Sequence, residues 1–74
     1  MSQPLTHSAL PAGETLLVIA LNAEEPERKR LESMGIIPGS ELKILADNGG
    51  PMLLAVDETR VAVERWLAEK VIIA

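Results

Sequence analysis

Side chains that could perform chemistry are scarce in this chain of 74 residues. Cysteine is absent, and the single histidine, His7, lies close to the N-terminus. Thiolate chemistry and disulfides are therefore excluded, and a transition-metal site would need carboxylates alone, whereas such metals normally take several converging nitrogen or sulfur ligands. No nucleophile is paired with a base along the sequence. We therefore predict no catalytic residue, no cofactor, no cofactor-binding residue and no metal ligand.

Charged residues are concentrated in one short segment, 24–30. Three glutamates come first, and three consecutive cations follow: Arg28, Lys29 and Arg30. Acidic side chains at the start of a helix are stabilised by the helix dipole, so we interpret the glutamates as structural. The cations form either a solvated helix face or a positive patch that steers a partner in a chain of net charge −4.

Composition argues against several other kinds of site. Seven Lys and Arg against eleven Asp and Glu leave no cationic surface of the kind that binds nucleic acid. Trp66 is the only aromatic residue, whereas grooves that bind proline-rich peptides or unstacked bases need several aromatic rings. The glycines and prolines lack the Lys-Ser/Thr pair of a phosphate-binding loop. Trp66 is predicted either to pack in the core or to contact a protein partner.

Apolar periodicity predicts a mainly β domain. Strands are expected at Thr15–Leu21, buried on both faces, at 40–46, where buried and exposed residues alternate, and at Met52–Val56, 61–63 and Val71–Ile73. We expect a flexible tail at 1–4, an entry turn at 10–13 and one domain over 5–74. The longest uncharged apolar run, 16–21, is too short to cross a bilayer, and 1–7 lacks the pattern of a secretory signal, so we expect a cytoplasmic protein.

Turn residues divide these strands. A helix of about ten residues is expected from Pro26 to a left-handed Gly35, with Leu31 facing the core. Pro38-Gly39 then predicts a type II turn, and 48–50 predicts a hairpin connection. A helical turn or two within 64–70 carries Trp66. Leu42 is the second residue that we expect in the core.

Several motifs, in this order, resemble the ferrous-iron transport protein A (FeoA) family. RLESMGIIPG at 30–39 resembles the family's rL..mGl.PG signature, GGP at 49–51 matches its GGP, and 61–73 resembles its closing iAlr..eA..I.V. The segment 5–13 resembles its opening L..l..G, so the resemblance covers about 5–74. One position departs from the pattern, because Glu64 stands where the family usually has arginine and Arg65 follows it.

The resemblance implies an SH3-like β-barrel of about five strands, with one helix after the first strand and a helical turn before the last. It also implies a noncatalytic, cytoplasmic accessory of bacterial ferrous-iron uptake. Its partner would be the cytoplasmic part of a FeoB-type membrane GTPase-permease, which would bring it to the periphery of the inner membrane without inserting it. Weak self-association is left open. Two alternatives are a regulatory module that interacts with a metal-responsive transcriptional repressor, and a generic protein-interaction adaptor.

The cationic cluster at 28–30 lies beside an apolar corner at 34–39 in the sequence. This combination is what best predicts a docking surface. Rim charges steer association, whereas apolar and aromatic groups at the centre supply most of the affinity. The candidate partner-binding residues are Arg28, Lys29, Arg30, Met34, Ile36, Ile37 and Trp66.

Overall fold

Six strands and two helices make up the part of the chain described by the computed structural model, residues 2–7 and 13–74. The strands are β1 (Gln3–Pro4), β2 (Thr15–Leu21), β3 (Glu41–Ala46), β4 (Met52–Val56), β5 (Thr59–Val63) and β6 (Val71–Ile73). Helix α1 (Glu25–Ser33) follows β2, and the short α2 (Arg65–Ala68) precedes β6. The entry turn predicted at 10–13 lies outside the described residues except for Gly13.

All neighbouring strands are antiparallel, in the order β1-β6-β2-β3-β4-β5. Strand β2 belongs to two ladders, because Thr15–Leu17 pair with β3 and the rest of the strand pairs with β6. A register shift between Val18 and Ala20 interrupts the ladder that β2 forms with β6. Such an irregularity bends a strand and increases its twist, which lets the sheet curl around a core.

The core is apolar throughout the described residues, with no buried polar or charged side chain. Leu31 is fully buried and holds α1 against the sheet, and Leu42 is 2% exposed, so both predicted core positions are confirmed. Burying such a side chain contributes roughly 1.5–3 kcal/mol relative to leaving it exposed. The largest fully buried side chains are Leu5, Leu31, Ile36, Leu42, Met52, Leu54, Leu67 and Ile73.

Two turns confirm the sequence pattern. Gly35 has φ +83° directly after α1, and its N–H donates to the carbonyl of Glu32 at 2.9 Å. Gly39 has φ +94°, and the Ser40 N–H donates to the carbonyl of Ile37 at 3.0 Å, which closes the predicted turn around Pro38-Gly39. These turns fix where α1 leaves the sheet and where β3 begins.

Two strands differ from the sequence-based expectation. β2 is buried on one face only, since Leu17 and Ile19 point outward and are 43% and 41% exposed. The structure also has one strand more than the five predicted. This additional strand, β1, lies in the segment predicted as a tail and pairs with β6. Gln3–Pro4 carry no strand signal of their own. They are aligned because Leu5 is buried and its N–H donates to the carbonyl of Val71 at 2.8 Å.

Candidate functional site

The three consecutive cations of α1 do not form one patch. Successive residues of a helix are rotated by about 100°, so Arg28 and Arg30 lie on opposite flanks of the buried Leu31 side. Arg28 Nη2 donates to the carbonyl of Ala23 at 3.0 Å. The Lys29 Nζ lies 3.3 Å from Glu25 Oε1, with both side chains more than 70% exposed. Each of these two cations therefore has a partner on its own segment.

Arg30 instead reaches across to α2. Its Nη2 donates to Glu64 Oε1 at 2.6 Å, and Trp66 Nε1 donates to Glu64 Oε2 at 3.2 Å. The Arg30 guanidinium carbon lies 6.0 Å from the centroid of the Trp66 ring, at the outer limit of a cation–π contact. These three side chains form what we call the Arg30–Glu64–Trp66 cluster. It combines two of the residue types most enriched at the energetic centres of interfaces, Arg and Trp.

Glu64 organises the cluster. Its carboxylate accepts from both other members, and these hydrogen bonds, first that from Arg30 and then that from Trp66, hold the pKa of Glu64 below its ordinary value. The side chain of Glu64 is nevertheless 48% exposed and that of Arg30 is 54% exposed. Trp66 is 47% exposed. The indole is therefore held in place by a polar contact while a large part of its surface faces solvent.

A second ion pair fixes α2 to the loop between β3 and β4. Arg65 donates from Nη1 to Asp47 Oδ1 and from Nη2 to Asp47 Oδ2, the latter at 3.3 Å. This two-pronged contact lowers the pKa of Asp47, chiefly through the hydrogen bond from Arg65. Both side chains are about one-third exposed or less. Arg65 follows Glu64, the position that differs from the family pattern, and it makes a structural contact with Asp47.

The apolar corner after α1 contributes less surface than the sequence predicted. Ile36 is fully buried and cannot contact a partner, so its inclusion in the docking surface is corrected. Met34 is half-buried and packs against the core. Ile37 is 45% exposed, and its backbone is fixed because Ser40 Oγ donates to its carbonyl at 2.7 Å. Ile37 is the apolar residue of this corner that remains available.

Sequence reasoning missed Glu64 as the residue that joins Arg30 to Trp66. It was singled out only as a departure from the family pattern, and the two ends of its ion pair are 34 residues apart in sequence. It also missed Asp47, for which the sequence gives no comparable signal. Leu17, Ile19 and Leu45 add exposed apolar surface elsewhere on the sheet.

Two negative findings apply to residues 2–7 and 13–74. No group of three or more His, Asp or Glu side chains there is placed to hold a metal ion. No helix in the same residues has the length and apolar character needed to span a membrane.

Comparisons with known proteins agree with this architecture. The model of the FeoA domain family matches residues 5–74. A Methanocaldococcus jannaschii protein named as an Fe(2+) transport protein A is 34% identical over 61 residues, which cover 82% of this chain and 74% of the relative.

Solved structures show the same likeness. The crystal structure of an iron uptake regulatory protein (FeoA) has a TM-score of 0.85 and 30% identity, and the match covers 100% of this chain and 96% of that chain. A Stenotrophomonas maltophilia FeoA complexed with zinc, described as a prokaryotic SH3 domain protein, has a TM-score of 0.76 and 27% identity, covering 88% of this chain and 84% of that chain. The predicted SH3-like fold is confirmed. The chain belongs to the FeoA domain family, which is involved in ferrous-iron transport.

Proposed function

We propose that this chain is a noncatalytic, cytoplasmic accessory of ferrous-iron uptake that binds the cytoplasmic part of a FeoB-type membrane GTPase-permease. Its family membership supports a role in iron transport. The observation that carries a binding role is Trp66, an exposed tryptophan oriented by a carboxylate and an arginine. Preorganised aromatic side chains cost little entropy when they enter a partner's pocket.

The docking surface that we propose is the Arg30–Glu64–Trp66 cluster with Ile37. Arg28, Lys29 and Met34, the remaining sequence candidates, are not part of this proposed surface. Arg28 and Lys29 are already engaged with Ala23 and Glu25. Met34 has much of its surface against the core. Rim charges change the association rate, whereas central anchors change the dissociation rate.

Binding kinetics with the purified cytoplasmic region of the permease test this proposal. Trp66→Ala should accelerate dissociation by about 30-fold, the size of a hot-spot loss, while the protein remains folded. Arg30→Glu should slow association and reduce its salt dependence. Lys29→Glu is the matched control, because it makes the same charge change on the same helix away from α2. Equal effects of Arg30→Glu and Lys29→Glu would contradict the proposed surface.

Identification of the partner tests the function independently of the surface. A pulldown from membranes with the tagged chain, analysed by mass spectrometry, should recover the permease. Recovery of a metal-responsive transcriptional repressor in its place would overturn the transport role and support the regulatory alternative.

A further inference from the structure

Within residues 2–7 and 13–74, strand β5 has a free edge. It pairs with β4 on one side and is the last strand of the sheet. Val56 and Thr59 flank the two-residue turn between these strands, so they form a hydrogen-bonded pair. Pairs alternate along an antiparallel ladder, which means that Val61 and Val63 also bond to β4. The backbone groups of Arg60 and Ala62 consequently point away from β4, and no hydrogen bond from them to another described residue is present.

Strand β5 has few of the features that prevent an edge strand from pairing with another chain. Proteins block edges with proline, with bulges, with very short strands or with charged side chains, and of these β5 has only one charge, Arg60. The other edge of this sheet, β1, has two residues and one of them is Pro4. β5 has five residues, no proline and an unbroken register with β4. Its outward side chains, Arg60 and Ala62, are exposed.

The side chains along this edge are complementary to themselves. In an antiparallel pair of two β5 strands centred on Ala62, Arg60 of each copy lies opposite Glu64 of the other. The same register places Val61, which is half-buried, opposite Val63 of the second copy. A register centred on Arg60 would place like charges opposite each other, which is destabilising, and one centred on Val61 would leave Arg60 opposite Ala62. The charges therefore select the register centred on Ala62.

The Glu64 carboxylate can contact Arg60 of the second copy and still keep its hydrogen bonds to Arg30 and Trp66. Its two carboxylate oxygens each accept one donor in the structure, and a carboxylate has about four acceptor positions. Its side chain is 48% exposed. Its backbone has φ −55° and ψ 142°, and its carbonyl accepts from the N–H groups of Leu67 and Ala68, so we expect only its N–H to bond to the second copy.

We propose that two copies of this chain associate weakly through antiparallel pairing of β5, with Ala62 at the two-fold axis. A second copy is the occupant that supplies both charge pairs at once, because a two-fold interface repeats every contact. The interface consists of a short ladder of backbone hydrogen bonds and two Arg60–Glu64 contacts between the copies. It also buries more of the Val61 side chain in each copy. This inference stands independently of the proposed transport function.

Sedimentation velocity and amide NMR on the full chain, from about 10 µM to about 1 mM, test the association over the range where weak complexes form. We expect a concentration-dependent dimer and amide shifts confined to residues 59–64. Ala62→Pro should abolish both, because proline removes the N–H at the axis but none that β4 uses. Ala62→Ser is the matched control, since it keeps the N–H, and should dimerise. A wild-type chain that stays monomeric up to about 1 mM would overturn the proposal.

Complementary charge variants test the register. Arg60→Glu alone and Glu64→Arg alone should each be monomeric, because like charges then lie opposite each other in both copies. Mixing the two variants should restore a dimer containing one copy of each, since every opposed pair is again of opposite sign. Amide spectra of each variant establish that it is folded. A mixture that remains monomeric, or an Ala62→Pro chain that dimerises like the wild type, would overturn the pairing.

Discussion

Arg30 and Leu31 are consecutive in the sequence and serve two different regions of the molecule. Leu31 is fully buried and fixes α1 to the sheet through apolar packing. Arg30 is largely exposed and joins α1 to α2 through a carboxylate. The buried region stabilises the fold, whereas the exposed region orients a surface. Changes in the buried region should therefore mainly lower stability, and changes in the exposed region should have smaller effects on stability.

The largest effect is expected at the buried side of α1. Leu31→Ala should lower the free energy of unfolding by about 2–5 kcal/mol, a large share of the total for so small a domain. Leu42→Ala, in β3, should fall in the same range. Urea unfolding followed by circular dichroism measures both, with Arg30→Ala as the surface comparison and a much smaller expected loss. Losses below about 1 kcal/mol for both leucines would refute the distinction between the regions.

The next effect is expected where α1 ends against the core. Gly35→Ala would place a Cβ 3.2 Å from Val56 Cγ1 at a φ of +83°. We expect a loss of about 1–2 kcal/mol from the left-handed backbone and a further loss from the crowded methyl group. Gly13→Ala is the matched control, because Gly13 has φ +82° and no atom of the described residues lies within 4 Å of the added Cβ. Equal losses of stability in the two variants would show that Val56 moves aside without cost.

A smaller effect, dependent on pH, should come from the exposed region. The pKa of Glu64 is lowered from 4.5, and the pKa of Asp47 is lowered from 3.8, in each case mainly by an arginine hydrogen bond. A lowered pKa means that the unfolded chain binds protons more readily. The stabilisation is therefore complete above the unfolded pKa and is lost as pH falls through the folded pKa.

Glu64→Gln combined with Asp47→Asn should accordingly be less stable than the wild type at pH 7, with the difference shrinking below about pH 4. Urea midpoints measured between pH 7 and pH 3 give this comparison. A difference that is constant over the whole range would show that the two ion pairs do not contribute to pH-dependent stability.

The smallest effect is expected from the solvent-exposed side of α1. Lys29→Ala removes one exposed pair with Glu25, of a kind worth about 0.2–0.5 kcal/mol in isolated helices. Its thermal midpoint should stay close to that of the wild type, and its binding to the permease domain should be unchanged. Weakened binding by Lys29→Ala would extend the docking surface beyond the Arg30–Glu64–Trp66 cluster.

Local sequence signals predicted most of the fold. The alternation of polar and apolar residues identified β3. The turns at Gly35 and Pro38-Gly39 were predicted correctly because glycine is the residue that most readily adopts a positive φ angle. β1 escaped prediction because its pairing depends on the burial of Leu5, a contact made only in the folded chain. The one-sided burial of β2 depends equally on which strands cover it.

The candidate site was predicted less completely than the fold. Arg30 and Trp66 were identified by residue type, but their connection through Glu64 depends on how α1 and α2 pack. The two isoleucines of the corner could not be separated, because adjacent apolar residues at a turn give no periodicity. Ile36 enters the core and Ile37 does not.

Trp66 is an intrinsic fluorescence probe in this molecule. With no tyrosine or phenylalanine elsewhere in the chain, its near-ultraviolet absorption and intrinsic emission come from one indole. That indole lies on the proposed docking surface and is 47% exposed. Exclusion of water from it should move its emission to shorter wavelength. With a partner domain free of tryptophan, a titration could therefore be followed on the unlabelled, unsubstituted protein, and an unchanged spectrum on binding would place the contact elsewhere.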